Sequence, residues 1–447
     1  MNKLAEELNQ TIHSKAPDVF NMLSTLGKEL YFPKGILSQT AEAKQKATRF
    51  NATIGIAKEG TEAMYLPSVM RQFSGCLPNE VLPYAPATGK PELRDKWKED
   101  LFLKNPILKG ITISQPIVTS GITHGLSLAA DLFADRDDII LLPQQFWGNY
   151  NMIFGIRHGA NIKHYRFFSK NEGFDTDDLR RVALEHASSG KLILILNFPN
   201  NPTGYSVTNA EAEAIRDVLV EVAEGGCNVV AVCDDSYFGL FYEDNVCKES
   251  VFSYLAAQHK KILAVKLDGA TKEDYVWGFR VGFITFATAS GNGEVNNALE
   301  KKTGGAIRGN ISNCPHISQT IVLKAMADKN YLEEKQQKFV IMKARANKVK
   351  ETLSQEHFAK VWAPYPFNSG YFMCLRLNEI DAEEFRIRLL EKYGIGVIAS
   401  GKEDIRVAFS CVEENDIPVL FEQMYQCACE MEKASIDKQE GSSYAQR

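Results

Sequence analysis

From about residue 115 to residue 290 the chain alternates short apolar runs with helical patterns, and this alternation constrains the fold more than any other feature. The runs are "IVTS" (117–120), "IILLP" (139–143), "LILILNF" (192–198), "NVVAVCDD" (228–235), "KILAVKLD" (261–268) and "VGFITFA" (281–287). Strands joined by helical crossovers in this order predict an α/β fold with a mainly parallel sheet. The run from Leu192 to Leu196 has no polar alternation, as expected of a strand covered on both faces. A helix is expected to open near Thr123, after the first run. Another follows the third: Thr208 and Glu211 make a capping box, Ile215, Val218, Leu219 and Val222 a buried stripe, and Gly225-Gly226 the stop.

A chain of 447 residues exceeds one ordinary core, so two domains are expected. After Pro315 the pattern turns to charge-rich helix over roughly 316–355, then to a shorter α+β stretch ending in a helix near 417–433. With the irregular first 60 residues, this predicts a large domain over 61–330 and a small one built from 1–60 and 331–435. The tail 436–447, "IDKQEGSSYAQR", has a disordered composition.

In open α/β sheets ligands collect where strands end, and four strand ends here carry unusual residues. "LILILNFPNNPTG" runs a buried strand into a polar knot containing Asn200 and Asn201. "VVAVCDDSYF" delivers Asp234 and then Tyr237; "KLDGATKEDYVWGFRVG" places Lys272 past a strand and Arg280 eight residues later. "VTSGITHGL" sets Ser120, Gly121, Ile122 and Thr123 where a strand becomes a helix, so that free N–H groups and the helix dipole can hold an anion. Each feature alone also suits a plain turn, a satisfied core acid or a solvated cation. Together they describe a site for an aromatic aldehyde bearing a phosphate.

Composition narrows the classes. A net charge of -5 with interspersed signs offers no basic stripe for nucleic acid. No apolar stretch approaches the roughly 20 residues of a membrane span, and "MNKLAEELNQ" is no signal peptide, so a cytoplasmic protein is expected. The nine cysteines are scattered, mostly among apolar neighbours, as reduced core thiols are. Cys427 and Cys429 sit two apart on one helix and so face different ways, which argues against metal binding.

In order and spacing these motifs resemble the fold-type I pyridoxal-phosphate aminotransferases, within them the aspartate aminotransferase group, over about residues 50–430. The resemblance implies a large domain with a seven-stranded, mainly parallel sheet between helices, plus a smaller α+β domain. It implies pyridoxal 5'-phosphate as cofactor, with Lys272 holding it covalently and shuttling a proton, Asp234 pairing with the ring nitrogen, and Asn201 and Tyr237 donating to the phenolic oxygen. Arg280 would take the phosphate, assisted by the N–H groups of Gly121 and Ile122 and by Thr123. "FWGNY" offers Trp147 for stacking on the ring, with Phe146 as competitor. "NATIG" would lay Gly55 over the substrate, and "EDIRVAFS" supplies Arg406 for the α-carboxylate. Tyr84 in "PYAPATGKPELR" and Arg308 in "AIRGNISNCPH" lie in segments that in the group cross to a partner's site, implying a homodimer with shared sites.

By the same resemblance, Arg308 would bind the distal carboxylate of an acidic substrate, so the expected function is ping-pong amino transfer between aspartate or glutamate and a 2-oxo acid. An aromatic or broad-specificity aminotransferase is the alternative, because Tyr150 replaces the group's histidine after W-G-N and leaves room beside the site; a lyase or decarboxylase on the same cofactor is another. Two further departures from the group are Gly269, three places before the lysine, which lacks the hydroxyl that often helps hold the phosphate, and Tyr275, bulkier than the small residue common after the lysine. A dinucleotide-binding dehydrogenase would need G-x-G-x-x-G at a strand–helix junction, which is missing, and a cofactor-sensing regulator would need a basic DNA-binding extension.

Overall fold

The computed structural model describes residues 1–33 and 35–444. Seven strands form the central sheet: β1 (Ile117–Thr119), β2 (Ile139–Pro143), β3 (Asn161–Tyr165), β4 (Lys191–Asn197), β5 (Asn228–Asp234), β6 (Ile262–Asp268) and β7 (Gly282–Thr288). Their spatial order is β1-β7-β6-β5-β4-β2-β3. β7 runs antiparallel to both neighbours and all other pairs are parallel. Six of the seven strands match the apolar runs. The seventh, β3, escapes the pattern because it is an edge strand with a largely exposed sequence, "NIKHY", of which only Tyr165 is buried.

β4 shows why its run is unbroken. Leu192, Leu194 and Leu196 enter the core beneath helix Asn209–Glu224, while Ile193 and Ile195 enter the opposite core beneath helix Ile122–Phe133. Period-2 alternation is present, but both faces are apolar, and each such side chain contributes about 1.5–3 kcal/mol by leaving water. The Thr208–Glu211 capping box closes as expected: Thr208 N–H donates to Glu211 at 2.7 Å and Glu211 N–H to Thr208 at 3.2 Å.

A second, antiparallel sheet lies toward the C-terminus: β8 (Trp362–Pro364), β9 (Met373–Leu377), β10 (Ile398–Ser400) and β11 (Asp404–Val407), in the order β8-β9-β11-β10. Helices Tyr331–Leu353 and Ile417–Tyr444 share its core through Met342, Trp362, Leu420 and Phe421. The helical stretch after Pro315 is two helices, His316–Met326 and Tyr331–Leu353. Phe50–Asn51 pairs in parallel with Ile395–Gly396, so both ends of the chain pack together. The last helix runs through 436–444 of the tail; 445–447 lie outside the described residues.

All nine cysteines are free thiols. Among the described residues no group of side chains could hold a metal ion, and no helix is long and apolar enough to cross a membrane.

Candidate active site

The carboxyl ends of β4, β5 and β6 converge, and Asn197 binds two of them together. Its amide donates to Asp234 O at the end of β5 (2.8 Å), and its carbonyl oxygen accepts Asn201 N–H (2.8 Å). The polar knot is then tied by Asn200, whose Oδ1 accepts from Thr203 N and Oγ1 at 3.1 and 2.8 Å. Gly204 completes it at φ 76°, where a Cβ would stand 2.0 Å from the Phe372 carbonyl oxygen. The loop is therefore both a turn and a closely packed bridge to the C-terminal half, and it presents Asn201 to Arg406, whose Nη1 donates to Asn201 Oδ1 at 3.1 Å.

Asp234 is buried, and both carboxylate oxygens are occupied. Oδ2 accepts from the Tyr150 hydroxyl at 2.7 Å; Oδ1 accepts from Ser236 N (3.1 Å) and Ser236 Oγ (2.5 Å). Three residues on, buried Tyr237 lies beneath Lys272, whose Nζ is 4.1 Å from the ring centroid. Desolvation, with lesser help from the Arg280 and Arg406 charges, lowers the Lys272 pKa to about 8 despite the opposing pull of Asp234. Lys266, on β6, is its opposite. It is buried in ion pairs with Asp235 and, at 3.3 Å, Asp268; these carboxylates outweigh burial and hold its pKa up at about 12.

At the edge of the site, Arg280 adopts a left-handed backbone (φ 56°), strained for a residue with a side chain. Its guanidinium donates to Trp277 O at 3.1 Å and lies across the first turn of helix Ile122–Phe133. Gly121 (φ 77°) permits this: a Cβ there would be 2.3 Å from Nη2. Gly121 N–H is engaged by Thr119 O (2.8 Å) and Ser120 N–H by His124 Nδ1 (3.0 Å). Of the expected anion ligands, Gly121 thus serves by its missing side chain, while Ile122 and Thr123 stand in the first turn of the helix, where N–H groups have no intrahelical partner. Burial lowers the Arg280 pKa, and among the described residues no carboxylate pairs with it.

Arg406, 2% exposed, likewise has no carboxylate partner among the described residues. It lies 4.2 Å over the Phe372 ring, donates to Thr53 O at 2.9 Å and leaves Nε without a partner. Gly55 adjoins the same ring, a Cβ there falling 3.7 Å from Phe372 Cζ. From Arg406 and Asn201 a cavity of about 990 Å³ opens between residues 31–33 and 35–42, the turn carrying Phe146 and Trp147, and strand β10. Phe146 and Trp147 both line it, but Phe146 stacks on His164 of β3 (5.0 Å, 28°), whereas Trp147 meets Tyr150 edge-on (5.7 Å, 87°) and so stands on the Asp234 side.

Two residues stand apart within the chain. Tyr84 is 90% exposed, and Arg308, in the last turn of helix Gly293–Asn310, is exposed with Nη1 donating to Ser312 at 2.6 Å. Thr53, Phe372, Asn197 and Ser236 were not singled out from sequence; only Ser236, two residues after an aspartate at a strand end, carries a local signal as a turn-type donor.

The family model for aminotransferase class I and II matches residues 56–424. The aspartate aminotransferase of Salmonella typhi is 24% identical over 378 residues, covering 83% of this chain and 91% of the relative. The aspartate/prephenate aminotransferase of Thermus thermophilus is 25% identical over 342 residues, 74% of this chain and 80% of the relative. The crystal structure of an aminotransferase from Anaerococcus prevotii superposes with a TM-score of 0.80 at 25% identity, covering 89% of this chain and 97% of the other. With its seven-stranded sheet and this match along most of its length, the chain belongs to the class I and II aminotransferases, enzymes of the transferase class on the fold-type I scaffold.

Proposed function

We propose that this enzyme is a pyridoxal 5'-phosphate-dependent aminotransferase that moves an amino group between an L-amino acid and a 2-oxo acid in two half-reactions. Lys272 carries this reading: it is an amine without a carboxylate partner, tuned to about 8 beside a buried carboxylate. The surrounding groups fit the cofactor. Arg280 and the helix start at Ile122 and Thr123 suit its phosphate, Asp234 its ring nitrogen, Tyr237 and Asn201 its phenolic oxygen, Trp147 its face and Lys272 its aldehyde carbon. When bound, the cofactor supplies an electron sink for charge developing at the substrate α-carbon.

The chain's own residues do the rest. Lys272, its pKa lowered by burial to about 8, can take the proton from the α-carbon and return it. Burial raises the Tyr237 pKa, so that its hydroxyl remains a donor. Arg406 is already desolvated and fixed by Asn201 and Thr53, which suits a two-pronged grip on the α-carboxylate.

A homodimer is supported by the run of exposed apolar residues Phe73 (50%), Leu77 (66%), Leu82 (78%) and Tyr84 (90%), which suits a second copy of this chain. Tyr84 and Arg308 would act in the partner's site, Arg308 on the distal carboxylate of aspartate or glutamate. A cytoplasmic location accords with this soluble-type composition. A second reading, broad or aromatic specificity, is favoured by the aromatic walls Tyr31, Phe146 and Trp147 of the cavity that opens from Arg406. The test is a half-reaction screen: each amino acid is mixed with the cofactor-loaded protein and the aldehyde absorbance is followed. Acidic amino acids should deplete it fastest. No depletion by any amino acid would overturn the proposal.

A further inference from the structure

Tyr150 follows "FWGN" at the turn after β2, where it was expected to leave space beside the substrate. Its position corrects that expectation. The side chain is 1% exposed, with Trp147 set edge-on against it, and its hydroxyl points inward to donate to Asp234 Oδ2 at 2.7 Å.

We propose that Tyr150 is a positioning residue for the reaction: through Oδ2 it orients the Asp234 carboxylate toward the cofactor ring nitrogen and supplies it with an uncharged hydrogen-bond donor. The inference rests on the cofactor reading above. Every donor on this carboxylate is neutral: Tyr150 on one oxygen and Ser236 N and Oγ on the other. A phenol, unlike an imidazole, does not change charge between pH 5 and 8. The other titratable or charged groups bearing on Tyr150 and Asp234 are Tyr165 of β3, Tyr237 after β5, Lys272 after β6, and Arg406 beyond Tyr237. His124, on the helix packed against this turn, is turned to Ser120 instead. Of this set, Lys272 is the group whose pKa burial brings down to about 8.

The experiment compares wild type, Tyr150→Phe and Tyr150→His. It reads the affinity of the cofactor-free protein for pyridoxal 5'-phosphate by fluorescence quenching, and the half-reaction rate from pH 5.5 to 8.5. Losing a hydrogen bond to a charged group should weaken affinity and slow the half-reaction, each by roughly 10-fold or more, in Tyr150→Phe. The apparent KM for the amino acid should stay unchanged, because Arg406 is untouched. Tyr150→His should recover most of the loss and add a step in affinity near about pH 6.5. Wild-type behaviour of Tyr150→Phe, a Tyr150→His protein no better than it, or a matching rise in KM would each overturn the inference. If wild type itself binds no pyridoxal 5'-phosphate, the cofactor reading fails, and this inference with it.

Discussion

Lys272 Nζ stands 4.1 Å over the Tyr237 ring with no carboxylate against it, whereas Lys266, six residues earlier, is locked between Asp235 and Asp268. Two lysines on one strand and its following turn therefore have opposite chemistry, set by their neighbours.

That contrast yields a split between two substitutions. Lys272→Ala should abolish the borohydride-reducible linkage to the cofactor and lower turnover by several powers of ten while leaving the fold intact. Lys266→Ala should keep the linkage in whatever protein folds but destabilise it by roughly 3–5 kcal/mol, because buried Asp235 and Asp268 lose the cation between them. Reduction with borohydride, mass measurement and thermal melts read both. A linkage that survives in Lys272→Ala removes Lys272 from its role.

A pH dependence follows from the same residue. Folding lowers the Lys272 pKa from 10.5 to about 8, so the folded protein disfavours its charged form. The resulting destabilisation is full below about pH 8 and is relieved as pH rises from about 8 to 10.5. Replacing Lys272 with Met should accordingly raise the melting temperature of the cofactor-free protein at pH 7, with the gain shrinking toward pH 10. A gain independent of pH would mean that the amine is not perturbed.

The proposed dimer can be tested by complementation. Tyr84 is almost fully exposed in the isolated chain, so Tyr84→Phe should leave folding unaffected while impairing a site completed by the partner. When inactive Lys272→Ala and impaired Tyr84→Phe chains are mixed and allowed to exchange, one site in each hybrid dimer is free of both lesions. Random pairing then gives roughly a quarter of wild-type activity. Simple averaging of the two parents would show that Tyr84 acts within its own chain.

What was legible in the sequence follows from where the local signal resides. The strands from β4 to β7 were readable because burial on two faces demands continuous apolar runs, and the loop after β4 because asparagine, proline and glycine each mark turns for their own reason. β3 was not, since an edge strand can be polar. Phe372 carries no sign of its place beneath Arg406, which depends on the pairing of β9 with β11, and Gly204 no sign that its open side faces the Phe372 carbonyl, about 170 residues away. Tyr150 was misjudged for the same reason: whether a tyrosine after a turn faces solvent, substrate or a carboxylate is decided by strands it does not belong to.

Substrate choice turns on Arg308. Its guanidinium is exposed and bonded only to Ser312, and Pro315 follows to open the next helix, so nothing within the chain carries it to the site of Arg406 and Asn201. It can serve an acidic substrate only if the dimer brings it there, where two parallel hydrogen bonds to a desolvated carboxylate would favour aspartate over alanine by roughly 2–5 kcal/mol. The cavity walls offer the competing attraction: Tyr31, Phe146 and Trp147 can cover an aromatic side chain that needs no guanidinium. Comparing kcat/KM for aspartate, glutamate, phenylalanine and alanine in wild type and Arg308→Leu separates the two. Under the acidic reading, Arg308→Leu loses at least roughly 30-fold on aspartate and glutamate and changes little on phenylalanine. Unchanged activity on the acids would take Arg308 out of the specificity role and leave the aromatic wall as the determinant, in which case Trp147→Ala should be the variant that lowers kcat/KM for phenylalanine most.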